Sequence, residues 1–193
     1  MTLTFKLLTT AALLLTATAA VAHPGHDHGT SGFVSGLLHP LLGLDHLLAM
    51  AAIGFWSVRQ GNVMKNATPL FVVGGMILGA GLAFAGIALP GVETGIVLSV
   101  IVAGILIAAM AKLPTAVGAT LVMAFMVFHG HAHGTEMPSG AMLAAYLAGF
   151  SIATLGITFA GRGLGALLMK ADNRVARGVG AGLAAVGGYL MVG

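Results

Sequence analysis

The chain has 193 residues, of which 58% are hydrophobic and only 7% are charged, and its mean hydropathy is +1.03. Soluble domains carry about 25% charged residues, so this composition excludes a soluble enzyme and a nucleic-acid-binding module and predicts an integral membrane protein. The eight histidines outnumber the five acidic residues, and the absence of cysteine excludes disulfides and thiolate metal sites.

Residues 1–22 have the pattern of a secretory signal peptide. Lys6 gives a positive start, an apolar stretch follows, and Ala20-Val21-Ala22 matches a cleavage site with small residues. We expect cleavage after Ala22, although the same segment would also suit an uncleaved anchor helix. Cleavage would place the new N-terminus outside the cytoplasm.

Residues 23–32 form a short polar segment that contains three histidines: His23, His26 and His28. His-rich tracts of this kind commonly bind metal ions. We expect a periplasmic tail that captures metal, and a flexible tail with incidental histidines is the alternative.

Six apolar stretches follow, each near the roughly 20 residues that cross a bilayer as a helix. Residues 33–193 are therefore predicted to form an all-α, polytopic membrane domain, a compact Gly-rich bundle of six transmembrane helices. The predicted spans are 33–57, 69–89, 92–111, 114–131, 140–160 and 175–192.

Basic residues are distributed to one side of this predicted topology. With the mature N-terminus outside, every Lys and Arg after the signal falls in an inside loop, whereas Asp27, Glu93 and Glu136 fall outside. The positive-inside rule then predicts a bacterial inner-membrane protein with a periplasmic N-terminus.

Thirty glycines are more than twice the usual share of about 7%. Many are spaced four residues apart, as in membrane helices whose backbones approach closely. We expect these pairs to pack helices within one bundle, and an interface of a homo-oligomer is the alternative. The pairs are Gly32/Gly36, Gly75/Gly79, Gly91/Gly95, Gly161/Gly165 and Gly178/Gly182.

The first predicted helix carries a group of ligand-type side chains. On a continuous helix, His39, Gly43, His46 and Met50 share one face. Gly43 would leave space between the two imidazoles for an ion. The Met50 thioether is either a further ligand or part of the apolar core.

Asp45 and His46 are expected near the middle of the bilayer. An ionisable residue at that depth costs about 2.5–3.5 kcal/mol, so a functional role is the default interpretation. Pro40 is expected to bend this helix and to free a carbonyl near the site. The alternative is a His–Asp pair that only joins two helices.

A second group of histidines ends the fourth predicted helix. His129 and His133 are four residues apart, a spacing that lets two imidazoles share a metal if the helix continues, and Glu136 follows one turn later. His131 alternates with them. The neighbouring glycines make an irregular outer loop equally possible. Imidazole and carboxylate ligands suit nickel, cobalt, zinc or copper(II) better than magnesium or calcium.

The pattern His-Pro-x-x-Gly-x-Asp-His at residues 39–46, with His-Gly-x-Ala-His-Gly-x-Glu at 129–136, resembles the HupE/UreJ family over essentially the whole chain. Members of that family are described as nickel permeases, some implicated in cobalt transport, that serve the maturation of hydrogenase and urease. The resemblance implies that His39, Asp45, His46, His129, His133 and Glu136 form the metal pathway. It leaves His131, at a variable position, less defined.

These observations together predict an uptake permease for a divalent metal, most simply Ni²⁺ with Co²⁺ as a further substrate. Its expected partners are the lipid bilayer and a metallochaperone. Two alternatives stay open at this point. An intramembrane hydrolase would use three histidines to hold zinc and an acid to activate water. A sensor or storage protein would bind the metal without moving it.

Overall fold

The fold is all-α in the computed structural model, which describes residues 32–192. The predicted signal peptide, and the tail with His23, His26 and His28, lie outside the described residues. No strand occurs within the described range. Its helices are α1 (Gly32–Leu42), α2 (Leu44–Ser57), α3 (Asn62–Phe84), α4 (Val92–Ala108), α5 (Thr115–Thr135), α6 (Leu143–Ala171) and α7 (Asn173–Val192).

Helix length and hydropathy identify four to five of the six predicted spans in this part of the chain. α3, α5, α6 and α7 are each long and apolar enough to cross a membrane. α1 and α2 pass the same test only as a bent pair. α4 has 17 residues, about 25 Å of helix, which is slightly short of a hydrocarbon core of about 30 Å. The prediction of six spans is therefore supported in part.

The prediction of one continuous first helix is wrong. The helix breaks at Gly43, whose backbone is extended with φ −84° and ψ 110°, and the two halves meet at an angle of 79°. Pro40 already removes one helical hydrogen bond upstream of the break. The Asp45 carboxylate then accepts the His46 backbone N–H at 2.7 Å. That amide is one of the unpaired donors of a first helical turn, so the bond favours a new helix start.

The bent pair packs alongside α6 in a parallel direction. Gly36 lies against the backbone of Tyr146 and, further along both helices, Gly161 lies against the carbonyl of Ala51. A Cβ at either glycine would overlap the facing backbone. Only glycine therefore permits this approach.

Two other helix pairs also approach closely at glycine residues. α3 and α5 are parallel, with Gly79 against Val127 and Gly130 against Met76, whereas α4 and α7 are antiparallel around Gly104 and Gly180. The predicted role of glycine in packing within the bundle is confirmed at Gly32/Gly36, Gly75/Gly79, Gly95 and Gly161/Gly165. It is wrong at Gly178/Gly182, where a Cβ would meet no described atom within 4 Å.

Basic side chains lie near one end of this bundle. Arg162 donates to the Lys65 carbonyl at 3.1 Å, which places α6 residues beside the start of α3. Trp56 donates its indole N–H to the Ala111 carbonyl at 3.1 Å, which brings Lys112 to the same end. His133 and Glu136, at the far end of α5, therefore lie at the opposite end of the helices.

Candidate metal site

Four histidines from two regions of the sequence form a continuous row. The ring of His133 lies 4.8 Å from that of His39, and also 4.8 Å from that of His46. The ring of His46 lies 4.7 Å from that of His129. All three contacts are between ring centroids in edge-to-face orientation. We call these residues, in the order His39, His133, His46 and His129, the histidine row.

Two local features of the chain build this row. α5 remains helical to Thr135, so His129 and His133 stand one turn apart on the same face and the alternative of an irregular loop is wrong. The break at Gly43 separates His39 from His46, and His133 contacts both of their rings. His39 and His46 therefore lie on separate helices. The gap that was expected beside Gly43, between these two rings on one helix, does not form.

The row leads from the surface to the interior. The side chain of Glu136 is 50% exposed and that of His39 is 31% exposed, whereas that of His46 is 10% exposed. His129 and His133 are fully buried. The row therefore has an accessible end at Glu136 and His39 and a fully buried end at His129.

Two carboxylates hold rings of the row. Glu136 Oε2 is 2.7 Å from His39 Nε2, and Asp45 Oδ1 is 2.9 Å from His46 Nδ1. An ionised carboxylate only accepts hydrogen bonds, so each of these nitrogens carries the proton. In the neutral tautomer of His46, the lone pair is then on Nε2.

Several ring nitrogens in the row have no hydrogen-bond partner. They are His46 Nε2, His129 Nδ1 and both nitrogens of His133, and all are buried. Buried polar atoms are normally paired. Unpaired imidazole nitrogens that meet within one polar cluster suit a ligand that accepts lone pairs, such as a transition-metal ion.

Aromatic residues of α6 form one wall of the row. The ring of Phe150 stacks on that of His133 at 5.3 Å with an interplanar angle of 10°. The Tyr146 hydroxyl donates to the His133 carbonyl at 3.2 Å. These contacts hold His133 in place without using either of its ring nitrogens.

Comparison with known proteins identifies the family of the chain. The sequence model described as HupE / UreJ protein matches residues 11–190. The chain belongs to the HupE/UreJ family. A similar curated relative, "Protein HupE" of Rhizobium leguminosarum bv. viciae, is 42% identical over 97% of this chain and 98% of its own length. No solved structure matches the chain.

Other predicted ligands of this HupE/UreJ protein lie outside the row. His131 is turned to another face of α5, where its Nε2 is 2.9 Å from the Ile87 carbonyl, so it ties α5 to the segment after α3. Met50 is fully buried in the hydrophobic core. A metal role for His131, Met50, His23, His26 and His28 remains a prediction.

The histidine row does not form a complete metal-coordination site. No group of three or more His, Asp or Glu side chains within residues 32–192 is arranged to hold a metal ion. The rings meet in successive pairs, each edge against face, so a bound ion would need small ring rotations to gain a third ligand.

One residue of the site was missed in the sequence. Ser99 of α4 reaches His129 Nε2 at 3.0 Å. It is a polar residue inside an apolar helix, and that isolation was the available signal. Hydropathy patterns alone could not show that it faces the histidines.

Proposed function

We propose that this HupE/UreJ protein is a six-span inner-membrane permease for uptake of a divalent transition metal, most simply Ni²⁺ with Co²⁺ as a further substrate. The observation that carries the proposal is the histidine row, which runs from His39, beside the half-exposed Glu136, to the fully buried His129. The proposed role is supply of metal for metalloenzyme maturation.

The donor set supports a borderline metal ion as the substrate. Neutral imidazoles with two carboxylates suit nickel, cobalt and zinc, whereas magnesium and calcium prefer more oxygen ligands. In the proposed path, Glu136 and His39 replace part of the hydration shell, His133 and His46 take the ion inward, and Asp45 offsets part of its charge.

Helix directions support the six-span topology. α1–α2 runs parallel to α6, α3 runs parallel to α5, and α4 runs antiparallel to α7. This is the pattern expected if the six segments cross in alternation, with the 17-residue α4 as the third span. The basic end of the bundle would then face the cytoplasm and the histidine row would open to the periplasm.

The decisive experiment is uptake of radioactive nickel into proteoliposomes of known orientation. We expect His46→Ala to abolish uptake, because it removes the residue that links His133 to His129. His131→Ala is the comparison variant, since His131 is also a buried histidine but hydrogen-bonds outside the row, and its effect on uptake tests whether His131 takes part. Uptake that survives His46→Ala in folded protein would contradict the proposal.

The same preparation separates the remaining functional alternatives. Equilibrium binding of metal without flux would favour a sensor or storage protein. Zinc-dependent cleavage of an amide or lipid substrate would favour a hydrolase. Competition among Ni²⁺, Co²⁺ and Zn²⁺ for uptake would rank the substrates. A metallochaperone on the cytoplasmic side and a homo-oligomeric assembly remain further proposals.

A further inference from the structure

A single buried hydroxyl of α4 reaches the inner end of the histidine row. After Thr94, Ser99 is the only polar side chain of α4, and it is fully buried. Its Oγ lies 2.6 Å from the Ile96 carbonyl oxygen and 3.0 Å from His129 Nε2. Ser99 therefore connects a third helix to the row.

The direction of these two hydrogen bonds follows from counting protons. A serine hydroxyl has one hydrogen to donate, and a carbonyl oxygen can only accept. Because Ser99 Oγ is close to the Ile96 carbonyl oxygen, the hydroxyl donates its one hydrogen to that oxygen. Toward His129 the hydroxyl can then only accept, so His129 Nε2 must carry the N–H.

This assignment determines which nitrogen of His129 is free. A neutral imidazole with its proton on Nε2 has its lone pair on Nδ1. His129 Nδ1 is buried and has no partner, and the ring of His46 is its neighbour in the row at 4.7 Å. The lone pair of the innermost imidazole is thus left available for an ion.

We propose that Ser99 is a positioning residue that holds His129 as the Nε2–H tautomer, so that Nδ1 binds the metal ion; this inference rests on the proposed permease function. Residues that hydrogen-bond the second nitrogen of a metal-binding histidine fix its tautomer and orientation. Ser99 does this for His129 as Asp45 does for His46, but from the opposite ring nitrogen.

Asp45 and Ser99 differ chemically, and this difference gives His46 and His129 different affinities for a metal ion. A carboxylate partner such as Asp45 raises the basicity of its imidazole and strengthens metal binding. The neutral hydroxyl of Ser99 orients His129 without adding a negative charge. His129 is then the weaker ligand of the pair at the inner end, which suits an ion that must leave inward.

The chain offers a closely matched control in Ser57. This serine is also buried, and its hydroxyl donates to the carbonyl three residues earlier, that of Gly54, at 2.6 Å. The bond has the same spacing and length as the bond from Ser99 to Ile96. No histidine contact accompanies Ser57, so Ser57→Ala removes an equivalent helical hydrogen bond away from the row.

The test compares full-length wild type, Ser99→Ala and Ser57→Ala in lipid nanodiscs. The first measurement is ¹⁵N NMR of labelled histidine rings without metal, with the His129 signals assigned by their loss in His129→Gln. We expect His129 to carry its proton on Nε2 in wild type and Ser57→Ala. In Ser99→Ala, the Nδ1–H tautomer should become substantially populated.

The second measurement is a Ni²⁺ titration of the same three proteins. We expect affinity to fall about tenfold in Ser99→Ala, the usual loss for an orienting partner, and to stay unchanged in Ser57→Ala. An unaltered tautomer together with unaltered affinity in folded Ser99→Ala would overturn the inference. If wild type binds no metal, the permease proposal fails, while the NMR comparison still decides the role of Ser99 on its own.

Discussion

The ring of His46 meets that of His129 edge to face, with centroids 4.7 Å apart and an interplanar angle of 88°. One ring belongs to the second half of a broken helix and the other to the end of α5. Asp45 hydrogen-bonds the ring of His46, and Ser99 hydrogen-bonds the ring of His129. The buried end of the row is thus a pair of imidazoles, each with one hydrogen-bonded and one unpaired ring nitrogen.

Replacing Asp45 by asparagine should weaken metal binding by about 10- to 100-fold, the range for loss of an orienting carboxylate. An amide keeps an oxygen that can accept from the His46 backbone, but it adds no negative charge near the ion. Asp172→Asn is the control, because Asp172 is exposed and accepts the Arg174 backbone N–H at 2.8 Å. Nickel titration in detergent measures both, and equal affinities for the two variants would contradict a role of Asp45 in binding.

Metal affinity should fall as the pH is lowered. Protons and metal ions compete for imidazole nitrogens, and the ordinary pKa of histidine is about 6.5. Each imidazole that must lose a proton to bind weakens binding by up to about tenfold per pH unit below its own pKa in the protein. The measurement is equilibrium Ni²⁺ binding across about pH 5.5 to 7.5, which avoids any effect of a proton gradient. Affinity that rises as the pH falls would argue against imidazole ligands.

Periodicity in the sequence located the two motifs, and the family resemblance was confirmed over nearly the whole chain. The spacing of His129 and His133 was sufficient to place both on one helical face. Convergence of the two motifs was not predictable in the same way. It depends on how α1–α2 and α5 pack in three dimensions, and hydrophobic patterns within single helices contain no information about partners.

The break at Gly43 and the contact of Ser99 illustrate why the remainder was missed. Pro40 was expected to bend the first helix, but its division at an extended Gly43, followed by a bond from the His46 amide to the Asp45 side chain, was not. A serine in an apolar helix usually bonds to its own backbone. Ser99 does so. Its second contact, with His129 of α5, arises only from the packing of the two helices.

Replacing Glu136 by glutamine should impair capture of the ion with little effect on folding. The Glu136–His39 pair is half exposed, and exposed ion pairs contribute about 0–1 kcal/mol to stability. Loss of the charge should raise the half-saturating nickel concentration for uptake severalfold and leave the maximal rate nearly unchanged. Initial rates in proteoliposomes over a range of nickel concentrations distinguish the two effects. A lower maximal rate at unchanged half-saturation would place Glu136 beyond the entry step.

Alanine substitutions at two neighbouring glycines of α6 should affect stability in opposite directions. A Cβ at Gly161 would overlap the Ala51 carbonyl, whereas a Cβ at Gly163 meets no described atom within 4 Å. Gly161→Ala must therefore push α2 and α6 apart, and overpacking of this kind costs about 1–3 kcal/mol. Gly163→Ala should be neutral or stabilising by up to about 1 kcal/mol, because alanine favours a helix over glycine. Thermal unfolding in detergent compares both variants with wild type. If Gly161→Ala is as stable as Gly163→Ala, the close approach of α2 to α6 is contradicted.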